Sequence, residues 1–195
     1  MPILEYLRIS KDKKLLLLGI SEEGERSRYT VGEAFYHSIG SPGARSVLNE
    51  ETLAAIMAED ERIRAAKKAL SILAYADNNE RTLTDKLRRA GFSREVAADT
   101  ARQMVGLGYI DEERQLRRML LREANINLLG FSKILPKLVA KGYAAAEVRR
   151  ITSELVAEGE ISFKDNAKRL IEKKLPEGAT SEEKKSLLYK NGYKI

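Results

Sequence analysis

The 195-residue chain carries 35 Lys and Arg against 29 Asp and Glu, one His and no Cys. Without cysteine there can be no disulfide, thiolate catalysis or zinc–cysteine site. A 43% hydrophobic content with 6% aromatics and no Trp predicts a core built from Leu, Ile, Val and Ala. The charge is divided unevenly. Residues 1–61 hold seven basic and eleven acidic side chains, a net −4, and residues 62–195 a net +10. The second stretch is the part drawn to a polyanion or an acidic protein surface.

In chain order, residues 3–9 and 15–20 are rich in branched and aromatic side chains and predict two strands joined by a turn at Lys11-Asp12-Lys13. Residues 26–31 follow as a third strand after a loop at 22–25, and residues 34–39 as a fourth. Residues 1–46 thus read as a small antiparallel β unit, closed by Ser41-Pro42-Gly43. At Asn49 the apolar period changes. Asn49 is an N-cap, Glu50 and Glu51 favour a first turn, and Leu53, Ile56, Met57, Ile63 and Ala69 keep helical spacing to about Tyr75, with a break expected near Asp60.

The remainder repeats. Residues 86–111 and 137–162 align without a gap at an offset of 51: Leu87 on Leu138, Gly91 on Gly142, Phe92 on Tyr143, Met104 on Leu155, Gly108 on Gly159 and Ile110 on Ile161. Leu188, Gly192 and Tyr193 begin a shortened third copy 50 residues further on. A fixed long period predicts stacked supersecondary units. Each full repeat reads as three helices, at 63–75, 82–90 and 94–107, then 112–124, 131–141 and 145–158. The third copy opens at Ser162-x-x-Asp165, runs to Lys174 and resumes at Thr180-x-x-Glu183. Thr82-x-x-Asp85 reads as a further capping box, Ser93 as a cap, and Gly91, Gly108, Gly142 and Gly159 as helix terminators. The apolar stripe of the third helices is Val96, Thr100, Met104 and Val105, then Val148, Ile151, Leu155 and Val156, with Phe92 and Tyr143 pinning the turns against it.

The fold class is therefore mainly α: tandem three-helix, helix-turn-helix-like repeats in an elongated array, preceded by a small antiparallel β unit. Expected boundaries are 1–48 for the β unit, 49–110 for a linking helix with repeat one, 111–161 for repeat two and 162–195 for the truncated repeat three.

Catalysis finds no support. His37 lies in the expected β unit without a Cys or Ser partner, and Gly40-Ser41-Pro42-Gly43 lacks the Lys-Ser/Thr of a phosphate loop. Asp85, Asp111 and Asp165 read as caps, and no cofactor or metal is expected. Binding finds more. Arg114, Arg118 and Arg122 recur every four residues with Arg117 alongside, one face of a helix with few matching acids. Arg88, Arg89, Lys137, Lys141, Arg149, Arg150, Lys168 and Arg169 place further cations on separate helices, which suits a long binding surface. The N-terminus lacks a signal-peptide core and the longest apolar run, 15–18, is too short for a membrane span, so a cytoplasmic chain with no membrane contact is expected.

These residues resemble a known family. Leu83, Leu87, Gly91-Phe92 and Gly108-Tyr109-Ile110-Asp111 with Arg114 look like hallmark segments of RecX regulatory proteins, and Gly130, Ile134, Leu138 and Lys141-Gly142-Tyr143 match a second hallmark. The likeness covers roughly residues 50–195. Gln115 stands where the family usually has an aromatic, and Leu129 where a basic residue is common. The resemblance implies a non-enzymatic modulator of the RecA recombinase in DNA repair, recombination and the SOS response, and a monomer is expected. It would lodge in the helical groove of the RecA–DNA filament across adjacent subunits and inhibit ATP hydrolysis and strand exchange. Nucleic acid would be met as part of the filament, with direct contact left open. Two other readings fit the same cations: a regulator that reads duplex DNA through Arg94 or Arg149-Arg150, and a helical adaptor for another acidic protein.

Overall fold

The structure, a computed structural model, describes residues 1–10 and 14–194, so the turn expected at Lys11-Asp12-Lys13 lies outside the described residues. Among those residues a three-stranded antiparallel sheet precedes nine α-helices, the mainly helical class with a small N-terminal sheet that the hydrophobic periods predict, with one strand fewer and one helix more than expected. The chain divides into two units, Met1–Ala76 with Leu83–Met104, and Asp77–Thr82 with Val105–Ile195.

In the first unit β1 (Ile3–Ile9), β2 (Leu15–Glu22) and β3 (Glu25–Gly32) pair in that order. Leu16, Leu18 and Ile20 alternate on β2, so one face buries all three beside Leu4 and Val31. Glu23 and Gly24 turn β2 into β3, both with positive φ, as a two-residue type I′ hairpin requires. The expected fourth strand is instead helix α1 (Glu33–Ser38). Tyr36 is buried there, with Phe35 and Ile39 packed beside it, a helical spacing that a six-residue apolar run cannot distinguish from a strand by composition. His37, expected on a strand, is exposed on α1.

Asn49 caps α2 (Glu50–Tyr75), accepting a hydrogen bond from the Thr52 amide at 2.7 Å. The helix runs unbroken through Asp60, correcting the expected interruption. Asp60 accepts from the Thr30 amide of β3 at 2.8 Å and from Arg64 Nε at 2.7 Å. Its carboxylate thus blunts the sheet edge, a role that helix propensity does not reveal. Ala97, Thr100, Ala101 and Met104 form the buried stripe of α4 (Arg94–Gly106), and Ser93 accepts from the Val96 amide as its cap. Val105 is 36% exposed and Val156 45%, because each lies just past the arc that the buried residues define. Both were expected in the core.

Helix α3 (Glu80–Arg89) starts two residues earlier than the sequence indicates. Asn79 accepts from the Thr82 amide and Thr82 Oγ1 accepts from the Asn79 amide, so Asn79 is the cap and Asp85, expected to act as one, lies inside the helix. Asp111 and Ser162 do cap α5 (Glu112–Leu121) and α8 (Phe163–Lys174), leaving Asp165 in the first turn, and Thr180 with Glu183 completes a capping box at α9 (Ser181–Lys190). Helix α5 continues as a π turn, Arg122–Ile126, before α6 (Phe131–Ala140) and α7 (Ala145–Ala157).

The Gly-aromatic turns do more than pin their own repeat. In the second unit, the turn after α6 meets the chain just before α3: Asn79 Nδ2 donates to Lys141 O at 3.0 Å. Tyr143 OH donates to Gln115, whose amide donates to Asn78 O. The turn after α9 meets the chain just before α6 in the same way. Gly130 N–H donates to Asn191 O at 2.8 Å, and Tyr193 OH to Leu128 O at 3.0 Å. One joint recurs at the repeat spacing. It explains why Asp77–Thr82 belongs to the second unit.

Gly142 has φ +101° with Asn79 and Arg81 side chains 3.1–3.3 Å from where a Cβ would stand, whereas Gly91, at φ +95°, has open space there. Gly91→Ala is expected to cost about 1 kcal/mol, the left-handed backbone alone. Gly142→Ala should cost about 2 kcal/mol, since crowding at the joint adds to it. Urea midpoints of the two variants measure the difference.

Candidate functional site

The cations singled out in the sequence fall into two electrostatic classes. On α5 and α7, Arg117 and Arg150 are enclosed by carboxylates. Arg117 bonds Glu154 at 3.0 Å and Glu158 at 2.9 Å, and lies 3.7 Å from Glu113. Arg150 bonds Glu154 at 2.7 Å, Glu147 at 2.8 Å and Glu113 at 3.1 Å. The apparent shortage of acids beside the α5 arginines is thus made good, largely by another helix. Hydrogen bonds to Glu158 on Arg117, and to Glu147 and Glu113 on Arg150, raise both guanidinium pKa values, while the Glu158 carboxyl is held below its usual range by Arg117. Here two arginines meet four acids, so this network joins helices and offers little net charge to a polyanion.

Arg118 pairs with Asp77, and Lys168 with Asp165 at 3.3 Å. Lys137 bonds the buried Glu123 at 2.6 Å, with Asn127 donating to the same carboxylate. Burial pushes the Glu123 pKa up, but the hydrogen bonds from Lys137 and Asn127 outweigh it and hold the carboxyl below its usual value. Lys137 therefore neutralises an interior charge.

Among the described residues Arg88, Arg89, Arg114, Arg122, Lys141, Arg149 and Arg169 form no ion pair. Arg88 and Arg89 sit on α3 in the first unit, and the other five belong to the second. Arg114 and Arg122 are exposed at the start and end of α5, two turns apart on one face. Lys141 Nζ rests 3.9 Å from Met119 Sδ, Arg169 donates to Asn166, and Arg149 lies over the Phe131 ring at 5.8 Å.

Sequence reasoning passed over Lys133, Lys164, Lys190 and Lys194. With Arg149 they line three adjoining hollows of about 410, 510 and 790 Å³, floored by Phe131, Phe163 and Tyr193. A signal was present. Lys133 and Lys164 occupy first turns of α6 and α8, where the helix macrodipole favours acids by about 0.3–1 kcal/mol. Among the described residues no cluster of acids and His is arranged to hold a metal, and no helix is long and apolar enough to cross a membrane.

No protein-family model matches the chain. It is 27% identical over 143 residues to the Regulatory protein RecX of Clostridioides difficile (strain 630), a match covering 73% of this chain and 65% of that protein's length. In fold it is similar to the crystal structure of a regulatory protein RecX, with TM-score 0.72 and 19% identity, covering 100% of this chain and 95% of that one. A likeness also extends to the crystal structure of RecX from Lactobacillus salivarius, with TM-score 0.56 and 16% identity over 69% and 90% of the two chains.

Proposed function

We propose that the chain is a member of the RecX family, a non-enzymatic regulator that binds the RecA–DNA filament and lowers RecA's ATP hydrolysis and strand exchange. The observation that carries this reading is the recurring joint. Like units, linked by the same Gly-Tyr hook at the repeat spacing, suit a partner that also repeats. Arg114 and Arg122, without an ion pair among the described residues, supply attraction to an acidic filament surface, an attraction that weakens as salt rises. Binding alters the filament only by favouring one of its states over another, so the regulator must engage that state's arrangement of neighbouring subunits more tightly.

The test is RecA's DNA-dependent ATPase with and without saturating amounts of the full chain. A fall is expected, and an unchanged rate overturns the proposal. Arg114→Glu with Arg122→Glu should weaken the effect at least tenfold in concentration while leaving the circular dichroism spectrum intact. Tight, sequence-dependent binding to bare duplex would support a DNA-reading regulator instead.

A further inference from the structure

We propose that the hollows around Phe131 form a docking groove for a short acidic peptide segment of a partner protein, one that inserts a bulky apolar side chain. The groove lies wholly within the second unit, where the starts of α6 and α8 meet the Gly192-Tyr193 turn. Its floor is apolar. Phe131 and Phe163 meet edge to face at 6.4 Å and 69°, beside Ala167, Leu188 and the buried Tyr193. Val156, displaced from the core stripe, extends that floor along α7.

Among the described residues the rim is of one sign. Arg149, Lys133, Lys164, Lys190 and Lys194 are the charged residues lining the three hollows, and none forms an ion pair among the described residues. Of the other candidate cations of this unit, Arg117, Arg118, Lys137, Arg150 and Lys168 are neutralised, while Arg114, Arg122, Lys141 and Arg169 form no ion pair among the described residues but do not line these hollows. An apolar floor ringed by unpaired cations complements a segment whose carboxylates flank an apolar side chain. Lys133 reinforces the argument, because a lysine in a helix's first turn, with no acid there, works against local stability.

Single-stranded nucleic acid is the less favoured occupant. Stacking of bases needs open ring faces, and Phe131 has Arg149 over its ring and the Phe163 ring against it. A peptide side chain has only to enter the hollow.

This inference supplies the partner chemistry for the regulator proposed above and rests on its acting through another protein. Its test contains no recombinase, so the two can fail separately. Fluorescence anisotropy of the full chain would use three labelled probes: an octapeptide of Asp and Glu with a central Phe and Leu, the same peptide with Ser replacing both apolar residues, and a dT oligonucleotide. The Phe-Leu peptide should bind at least tenfold more tightly than the Ser peptide. Lys164→Glu with Lys194→Glu should weaken it at least tenfold, and Val156→Glu, at an exposed position that spares the core, should weaken it several-fold. Equal affinity for the two peptides, tighter binding of the oligonucleotide, no peptide binding up to about 1 mM, or indifference to these substitutions in folded variants would each overturn the proposal.

Discussion

Gly130→Ala is expected to destabilise the second unit by about 2–3 kcal/mol, through backbone contact. Gly130 has an ordinary extended conformation, φ −74° and ψ 158°, so a side chain there meets no torsional objection. The obstacle is Gly192. Its carbonyl oxygen and carbon would lie 2.2 and 2.3 Å from the new Cβ, and neither is the movable end of a side chain. The methyl group must drive the α9 turn away from the start of α6. That separation strains the Gly130 N–H to Asn191 O bond and the Ser132 N–H to Gly192 O bond, and it loosens Tyr193 against Leu128. Gly192→Ala should cost at least as much, since φ +83° adds left-handed strain to a 2.7 Å approach on the Lys133 nitrogen. The two substitutions should be less than additive, because once the joint has opened the second methyl meets less resistance. Gly106→Ala, with open space and no positive φ, is the control and should be neutral or stabilising by up to about 1 kcal/mol. Urea unfolding of the single and double variants decides it. A Gly130→Ala midpoint equal to wild type would mean that the joint is not closed in solution.

The joint also marks how far sequence can be read. The period of 51, the positive-φ glycines Gly91, Gly108, Gly142 and Gly159 and the caps at Asn49, Ser93, Asp111 and Thr180 were all legible, because each is a local demand that few residue types meet. The docking of Tyr143 through Gln115 onto Asn78 was not, since it joins positions 37 and 28 residues apart whose spacing carries no periodic signal. Helix α1 was misread because six apolar-rich residues satisfy both periods until a core is present to choose. Among the cations, composition could count charges but not their compensation. Arg114 and Arg117 look alike in sequence, yet only Arg117 faces Glu154 and Glu158 across α7. Lys164 and Lys194 were passed over because neither lies in an arginine-rich run, although the apolar floor that gives them meaning lies in adjacent sequence.

Lys137 provides the sharpest separation of a binding role from a structural one. Lys137→Met should lower stability by roughly 2 kcal/mol at pH 7, because it leaves the Glu123 carboxylate, 5% exposed, with Asn127 as its remaining side-chain donor. This is below the usual cost of orphaning an interior charge because Lys137 itself is 43% exposed and partly screened. The pH dependence gives the sign. In the wild type the Glu123 pKa is depressed in the folded state, so its contribution is present above the unfolded carboxyl pKa and is lost as pH falls through the folded one. In the variant burial is no longer outweighed, and the folded pKa rises above the unfolded value. Protonation then relieves the penalty in acid, and the variant loses stability as pH climbs through that raised pKa. The gap between the two proteins should therefore be widest near neutrality and narrow steadily toward about pH 4. Glu123→Gln added to Lys137→Met should restore much of the loss at pH 7, since the amide oxygen can still accept from Asn127 without a charge to satisfy. A residue whose role was only to meet an acidic partner would show none of this. Lys137→Met would then unfold at the wild-type denaturant concentration at every pH, and its defect would appear only when the partner is added.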